Sequence, residues 1–231
     1  MSYDLNGTSQ YFTFNSVGTV PLNTLTVGGW FAPDFDPSGT TVYRFWDFSA
    51  ARYRLLKSAT TNIIQVFADS RTNILTATGK WIAGEWHHFL VTINKATDTL
   101  DLYIDGELLT ASKSGTWGST AVSGNARIGA DYTAASFFDG KVALMSIWNR
   151  VLSLPEIQDL SRGSQPGWVA PSGLVALWPL AKDYVQTFGP TLTATDAPTV
   201  AAHPKEIKTS LSAFQIMQKC YDPAAKALRI V

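Results

Sequence analysis

The sequence predicts an all-β protein, a two-sheet antiparallel sandwich with one short helix and a C-terminal extension. Three observations lead to this class. Residues 86–93 alternate between two faces and are rich in aromatic and β-branched residues. Short strand-like runs recur between turn residues over most of residues 3–150, a spacing that favours a sandwich over βαβ units. The 231 residues include 12% aromatics, 17 Gly and 11 Pro, which fits a turn-rich β protein better than a helical one.

The run 86–93 and its hairpin partner 99–109 form the clearest element. Successive residues of a strand point to opposite faces, so the run divides into two sets: Trp86, His88, Leu90 and Thr92 on one face, and His87, Phe89, Val91 and Ile93 on the other. Residues 94–98 supply turn chemistry between the two strands. Asp105-Gly106 then suits a type I′ turn, whose two central residues need positive φ. The sequence therefore predicts a β-meander here.

Further strands are predicted at 42–48, 53–57, 63–68 and 73–77. Gly, Pro, Asn, Asp and Ser mark breaks at 33–40, 58–62 and 112–125, which are predicted to be loops.

One short helix is predicted after residue 153. Ser153 and Glu156 have the spacing of a capping box, and Pro155 lies in the first turn. Leu154, Ile157 and Leu160 form the apolar stripe, and Gly163 is placed to end the helix: the stripe is expected to cover one edge or end of the sandwich. Residues 164–167 and 171–173 are predicted to be loops.

Several of these segments resemble, in order, the laminin-G-like and pentraxin-like group of concanavalin A-like lectin/glucanase domains. The matching pieces are Trp-His-His at 86–88 with Tyr-x-Asp-Gly at 103–106, and the segments 3–7, 11–14, 25–31, 126–129, 138–142, 146–153 and 156–157. The resemblance covers roughly residues 3–163. It implies a concanavalin A-like jelly roll of the lectin-like kind.

Residues 174–180 read as another strand, and together with 192–195 and 197–200 they resemble the segment that usually precedes the opening strand in this family. Because the termini of a sandwich lie close together, we expect this segment to complete the sandwich rather than to pack as an appendage. We assign residues 1–200 to the sandwich. Residues 201–231 are assigned to an extension for assembly or anchoring, and its ending at 221–231 is similar to the ends of bacteriophage particle proteins.

Charge and cysteine content limit the partners. The chain has 18 acidic and 18 basic residues, so bulk electrostatics predict no affinity for nucleic acid or for an anionic membrane. Cys220 is the sole cysteine, so an intrachain disulfide is impossible. No apolar run has the length of a membrane span. Met1 to Asp4 lack the features of a signal peptide, and with Met1 as the natural start we expect production in a host cytoplasm and release within a virus particle.

Catalysis has little support in the sequence. Hydrolysis of a glycosidic bond needs two carboxylates across that bond, and no same-face cluster of acidic residues occurs. The nearest candidates, at 98–107, lie at hairpin ends. His87 and His88 are adjacent on a strand and point to opposite faces, so they are not expected to chelate one ion. We expect the protein not to be an enzyme.

Calcium is the cofactor that the resemblance implies, since relatives often hold it at the sandwich rim with loop carboxylates and carbonyls. Asn6, Asp131 and Asp139 lie at positions that could approach such a site. Gln10 and Ala143 replace acidic residues that are frequent in the family, which lowers the charge of such a site.

Carbohydrate binding would use exposed aromatic rings as stacking platforms beside polar groups. The candidates are Trp117 in the 112–125 loop, Tyr132, and Trp46 with Arg44. For Trp117, the alternative to a ligand contact is that the ring packs inward and holds its own loop against the protein. Four other tryptophans lie within strand patterns and are expected in the core: Trp30, Trp86, Trp148 and Trp178.

The first functional hypothesis is a non-catalytic structural or adhesive virion protein, a capsid decoration or fibre-associated protein that displays a lectin-like sandwich. Residues 201–231 would contact phage capsid or tail proteins, and a homo-oligomer is expected. The alternative is a soluble carbohydrate-binding lectin module, calcium-assisted, with a cell-surface glycan as its partner. A glycan-active hydrolase is the third hypothesis.

Overall fold

The computed structural model describes residues 2–16, 20–21, 23–48, 52–109, 111–118, 124–180 and 188–202. These residues form two antiparallel sheets packed face to face, with two short helices beside them. The predicted all-β, two-sheet antiparallel sandwich is confirmed. The predicted extension from 203 onward lies outside the described residues.

The first sheet has eight strands within the described ranges. Its order is β10 (Glu107–Leu108), β9 (Thr99–Ile104), β8 (His87–Asn94), β3 (Thr24–Pro33), β13 (Asp139–Trp148), β1 (Ser2–Asn6) and β16 (Thr199–Ala201). The eighth strand, β14 (Leu174–Trp178), pairs with residues 145–148 of β13, while β1 pairs with residues 139–142 of the same strand. One long strand, β13, thus holds two short neighbours in succession.

The second sheet also has eight described strands. Its order is β11 (Ala111–Ser114), β7 (Arg71–Thr76), β6 (Ile63–Ala68), β5 (Tyr53–Lys57), β4 (Tyr43–Phe48), β12 (Asn125–Ile128), β2 (Tyr11–Asn15) and β15 (Thr193–Thr195). Strand β11 lies in the segment 112–125 that was predicted to be a loop, so that prediction was wrong. Pairing with β7 forms the strand despite its short polar sequence.

The core lies between the sheets and is rich in aromatic rings. Phe31 on β3 is fully buried, and its ring centroid lies 5.2 Å from Phe45, 5.9 Å from Phe89 and 5.3 Å from Phe138. All three pairs are edge-to-face, an arrangement that the ring quadrupoles favour. Phe89 belongs to the face predicted for the odd-numbered residues of 86–93, and that face points into this core.

The opposite face of the first sheet is covered by α1 (Leu154–Ser161). Ile157 and Leu160 of this helix pack with Leu90 of β8 and Trp148 of β13. Strand β8 is therefore buried on both faces, which explains why its apolar residues are not restricted to one face. Trp148 Nε1 donates to the carbonyl oxygen of Ala170 at 2.7 Å, which satisfies the indole N–H in this apolar layer.

The start of α1 agrees with the predicted capping box. Glu156 Oε2 accepts hydrogen bonds from Ser153 N and Ser153 Oγ, both at 2.8 Å. A second helix, α2 (Pro166–Val169), occupies residues predicted to be a loop. Its single turn begins at Pro166, whose fixed φ suits the first helical position. No helix among the described ranges is long and apolar enough to cross a membrane.

The strands after the helices complete both sheets, as predicted. Strand β14 extends the first sheet beside β13, β16 pairs with β1, and β15 pairs with β2 in the second sheet. The C-terminal strands thus cover the N-terminal ones.

Glycine is required at two places in this frame. A Cβ on Gly28 would lie 2.8 Å from the carbonyl oxygen of Phe89, so β3 and β8 can approach this closely only without a side chain there. Asp105 and Gly106 have φ values of 52° and 80°, which confirms the predicted turn with two positive φ angles.

Candidate functional site

The outer face of the second sheet carries a row of charged residues. On β5, Tyr53 and Leu55 point into the core, so Arg54 between them points outward. Asp47 of β4 pairs with Arg54 on one side and with Arg127 of β12 on the other. Arg54 in turn pairs with Phe67 of β6. Strand register therefore places Arg127, Asp47, Arg54 and Phe67 side by side across four strands.

Two rings flank this row. The Cζ of Arg54 lies 3.9 Å from the centroid of the Phe67 ring, and the Cζ of Arg127 lies 5.0 Å from that of Tyr11. Both are cation–π contacts, which hold a guanidinium plane in place without using its N–H groups. Arg127 Nη1 also donates to the carbonyl oxygen of Asp131 at 2.7 Å.

A β-bulge brings Arg44 to the same face. The register of β4 against β5 shifts between Arg44 and Trp46, so Arg44 pairs with Leu56 while Asp47 pairs with Arg54. Leu56 and Arg54 are two residues apart and share a face, so their partners share it as well. We call the set Arg44, Asp47, Arg54, Arg127, Phe67 and Tyr11 the arginine face.

Arg44 is half-buried, and burial is the largest cause of its lowered pKa. The nearby charge of Arg54 lowers the pKa further, while Asp47 and Asp131 act in the opposite direction. Its Nε and Nη1 atoms are buried and have no hydrogen-bond partner among the described residues, and the same holds for Nε of Arg54. Asp47, by contrast, is fully buried beneath the face.

The structure corrects the prediction that Trp46 is a surface platform next to Arg44. Trp46 is 1% exposed and belongs to the core between the sheets. Simple alternation places residues 44 and 46 on one face, but the bulge separates them. Of the predicted pair, only Arg44 lies on the arginine face.

Tyr132 is 50% exposed, in the turn that follows β12. The turn is held by Asp131, whose Oδ1 accepts from Thr133 N at 3.0 Å and from Ala135 N at 2.9 Å. Burial acts to raise the pKa of Asp131, but these hydrogen bonds outweigh it and the pKa is lowered. The tyrosine ring is thus presented by a hydrogen-bonded turn in which the Asp131 carbonyl also binds Arg127.

Trp117 packs against the core and is half-buried. Its Nε1 donates to Asp98 Oδ1 at 2.8 Å, and the Cζ of Arg71 lies 6.0 Å from its ring centroid. This arrangement matches the alternative in which Trp117 packs inward and holds its own loop against the protein. A carbohydrate-binding role for Trp117 stays a prediction.

The residues predicted for calcium are used differently. Asn6 pairs with Asp139 across β1 and β13, but its Oδ1 accepts from the backbone N–H groups of Thr8, Ser9 and Gln10 at 3.0–3.2 Å. The Oδ1 of Asp131 likewise serves its own turn. Within the described ranges, no group of three or more His, Cys, Asp or Glu could hold a metal ion. The three residues therefore do not fit a calcium ligand set, and calcium binding stays a prediction.

Asp139 has acidic neighbours that sequence reasoning missed. Burial raises its pKa, followed by the charges of Asp34 and Asp4, while Lys141 acts to lower it. The Nζ of Lys141 lies 3.6 Å from Asp34 Oδ1. Asp4, Asp139 and Lys141 lie in strands of the first sheet, and Asp34 directly follows its strand β3. The arginine face, in contrast, belongs to the second sheet.

The two histidines do not form a shared site. His88 is buried beside Trp30, with ring centroids 5.4 Å apart, and burial lowers its pKa to about 4. His87 Nδ1 lies 2.6 Å from Asp105 Oδ2. Their opposite placement agrees with strand alternation.

Many solved structures are similar to the chain in fold, among them the following three. The first is a candidate carbohydrate-binding protein from Bacteroides ovatus, with 18% identity over 88% of this chain and 63% of that chain and a TM-score of 0.61. The second is the native heptameric SAP-like pentraxin from Limulus polyphemus, with 12% identity over 88% and 95% and a TM-score of 0.64. The third is the CBM40 of the Ruminococcus gnavus IT-sialidase bound to α2,3-sialyllactose, with 12% identity over 69% and 96% and a TM-score of 0.54.

At these identities the likeness establishes the sandwich fold, and the chain spans less than two thirds of the Bacteroides protein's length. No curated protein sequence matches the chain with significance. The family profile Laminin_G_3, described as the concanavalin A-like lectin/glucanases superfamily, matches residues 6–158, which is more than half of the chain. The chain therefore belongs to the concanavalin A-like lectin/glucanase superfamily.

Proposed function

We propose that the protein is a non-catalytic carbohydrate-binding β-sandwich and that its glycan lies on the arginine face. The observation that carries this proposal is the set of half-buried guanidinium groups, two of them stacked on Phe67 and Tyr11, on the outer face of the second sheet. Among the described residues, this face combines ring surfaces with directed hydrogen-bond donors.

Both components match the needs of a sugar. The C–H face of a pyranose packs on an aromatic ring, and its hydroxyl groups take hydrogen bonds from a few well-placed polar side chains. Each arginine offers five N–H donors in a fixed plane. Because the residues are on paired strands, their spacing is set by the sheet rather than by loops, which reduces the cost of ordering them on binding.

The similar structures support this choice by analogy. The Bacteroides protein is named for carbohydrate binding, and the Ruminococcus module is in complex with a sialylated sugar. A shared fold does not fix a function, so the proposed function rests on the arginine face itself. The arginine face thus favours the carbohydrate-binding alternative over the virion hypothesis.

The non-catalytic part of the proposal follows from the carboxylates near the face. A glycosidase needs one carboxyl group to donate a proton and a second to act as nucleophile or base. Asp47 is fully buried, and Asp131 Oδ1 is engaged by its turn. The accessible groups of the arginine face are cations, which bind and orient but cannot take these two roles.

The virion setting, its capsid or tail partners, the homo-oligomer and the cell-surface location of a glycan stay predictions. The segment invoked for assembly begins at residue 201, and its part from 203 onward lies outside the described residues. An adhesive virion protein would use the same carbohydrate-binding face, so the two hypotheses differ in setting rather than in site.

A glycan array probed with the full chain tests the proposal. We expect binding to a subset of glycans, and we expect Phe67→Ala to weaken it because the variant removes both a ring surface and the support of Arg54. Phe188→Ala is the matched control, since Phe188 is 55% exposed and bridges to Leu177 of the first sheet.

A folded protein that binds no glycan, or equal binding by Phe67→Ala and the wild type, would overturn the proposal. Release of shortened sugars during the incubation would overturn its non-catalytic part. Repeating the array with EDTA tests the calcium prediction, since a calcium-assisted site would lose binding.

A further inference from the structure

We infer that the glycan recognised by the arginine face is acidic, and that Arg44, Arg54 and Arg127 together bind its carboxylate or sulfate group. The inference rests on the proposed function and narrows it to one substrate class. It comes from the charge, the hydrogen bonding and the support of these three residues.

The arginine face has a local excess of positive charge in a chain whose formal net charge is zero. Three arginines lie on this face, with Arg54 close enough to lower the pKa of Arg44 and Arg127 on the other side of Asp47, and the neighbouring carboxylates are those of Asp47 and Asp131. Both carboxylates lie below the surface, each with 7% or less of the residue exposed. The half-buried outer layer is therefore cationic, and an anion on it would meet positive charge first.

The guanidinium groups of Arg44 and Arg54 are incompletely hydrogen-bonded within the described residues. The Nε and Nη1 atoms of Arg44 and the Nε of Arg54 are buried without a partner among the described residues. Buried donors without acceptors cost free energy, and this cost is highest for charged groups. The exposed parts of these half-buried guanidinium groups are what a ligand can reach, and an oxyanion there would stabilise the cations by its opposite charge more strongly than a neutral hydroxyl would.

The lowered pKa of Arg44 agrees with this geometry. Burial and the like charge of Arg54 both disfavour its cation, and the two aspartates offset them in part. A bound anion would favour the charged form and remove part of this repulsion.

The flanking arginines are held in position before any ligand arrives. Arg54 is stacked on Phe67, and Arg127 is stacked near Tyr11 and bonded to the Asp131 carbonyl. Stacking leaves guanidinium N–H groups available for an oxyanion, and fixed side chains lose less entropy on binding. The competing explanation is that the cluster has a purely structural role. In that case Asp47 would hold the arginines of β12, β4 and β5 together and so stabilise the sheet.

Binding of the full chain to defined oligosaccharides separates the two explanations. The probes are sialyllactose, which carries a carboxylate, a sulfated lactose, and lactose as the neutral reference, each measured by calorimetry. We expect an acidic probe to bind roughly tenfold or more tighter than lactose, and its affinity to fall as salt is raised.

Three variants locate the effect. Arg44→Ala is expected to lower affinity for the acidic probe roughly tenfold or more, a larger loss than for lactose, which can lose no more than a neutral hydrogen bond there. Arg44→Lys keeps the positive charge but loses the planar set of donors, so its affinity for the acidic probe is expected to lie between those of the wild type and Arg44→Ala. Arg162→Ala is the control, because it removes one exposed arginine after α1, on the side of the first sheet. Thermal unfolding of each variant verifies that it is folded.

The outcomes are distinct. Preference for the acidic probes, lost in Arg44→Ala and kept in Arg162→Ala, supports the inference. Equal binding of acidic and neutral probes, or an acidic preference that persists in folded Arg44→Ala, overturns the inference while the carbohydrate-binding function stands. Binding of no saccharide on these probes and on the array overturns the proposed function and the inference with it.

Discussion

The ion pair between Arg150 and Glu156 fastens α1 to the first sheet, and removing its charge tests how the helix is held. Arg150 follows β13, and its Nη1 and Nη2 lie 2.9 Å and 2.6 Å from Glu156 Oε2 and Oε1. The same carboxylate accepts from Ser153 N at 2.8 Å and so caps the helix. Glu156→Gln keeps the size and one acceptor of this side chain but removes the charge.

The size of the effect follows from the pKa of Glu156, which lies at about 2 instead of 4.5. The hydrogen bond from Arg150 is the largest cause, opposed by burial and aided by Ser153. The shift corresponds to roughly 3 kcal/mol in the free energy of unfolding before screening. The Arg150 and Glu156 side chains are 30% and 22% exposed, so solvent screening leaves about 1–2 kcal/mol.

The pH dependence has a defined sign. Because the folded-state pKa is depressed, the contribution is complete above pH 4.5 and is lost as the pH falls toward 2. Urea unfolding of the wild type and Glu156→Gln at neutral pH and through this acid range measures the difference. We expect the wild-type advantage to shrink steadily over that range.

A matched control is Asp159→Asn, which removes a 53%-exposed carboxylate of the same helix that pairs only with Arg162 among the described residues. We expect it to change the free energy of unfolding by less than about 0.5 kcal/mol. A Glu156→Gln protein as stable as the wild type at neutral pH would refute the reasoning. A difference in the free energy of unfolding between the two proteins that keeps its full size near pH 2 would refute it as well.

Three further predictions concern the core. NMR titration is expected to give a pKa of about 4 for His88. The free energy of unfolding should fall as the pH drops from 6.5 toward 4, because the unfolded chain takes up the proton first. A titration midpoint near 6.5 would contradict the burial of His88. Trp46→Ala should cost about 3–5 kcal/mol in urea unfolding, whereas a surface tryptophan would cost little. Gly28→Ala should cost about 1–3 kcal/mol, because the new Cβ meets the Phe89 carbonyl; unchanged stability would show that the strands can separate there.

The sequence predicted the elements whose signals are local. The alternation of residues 86–93 and the Asp105-Gly106 turn depend on neighbouring residues, and both match the structure. The capping residues Ser153 and Glu156 likewise mark where α1 begins. Helix α2 was missed because a single turn has too few residues to show a helical period.

The arginine face was only partly predictable. Arg44 was identified, but its expected partner Trp46 is in the core, because a bulge shifts the alternation by one residue. Arg54 and Arg127 each stand as a single charge between two core residues, a pattern that could have marked them as outward-facing. Arg54 and Arg127 flank Asp47 only because β12 pairs with β4. These two strands are about 80 residues apart in the chain, and no local pattern encodes such a register.

The pairing of β16 with β1 and of β15 with β2 has a consequence for how the chain folds during synthesis. The first two strands leave the ribosome long before their last partners do, and until then each presents an open edge to other chains. Joining such distant segments carries a large loop-closure cost and slows folding. We therefore expect docking of residues 193–201 to be a late step. A chain stalled before this segment should aggregate through the uncovered edges of β1 and β2.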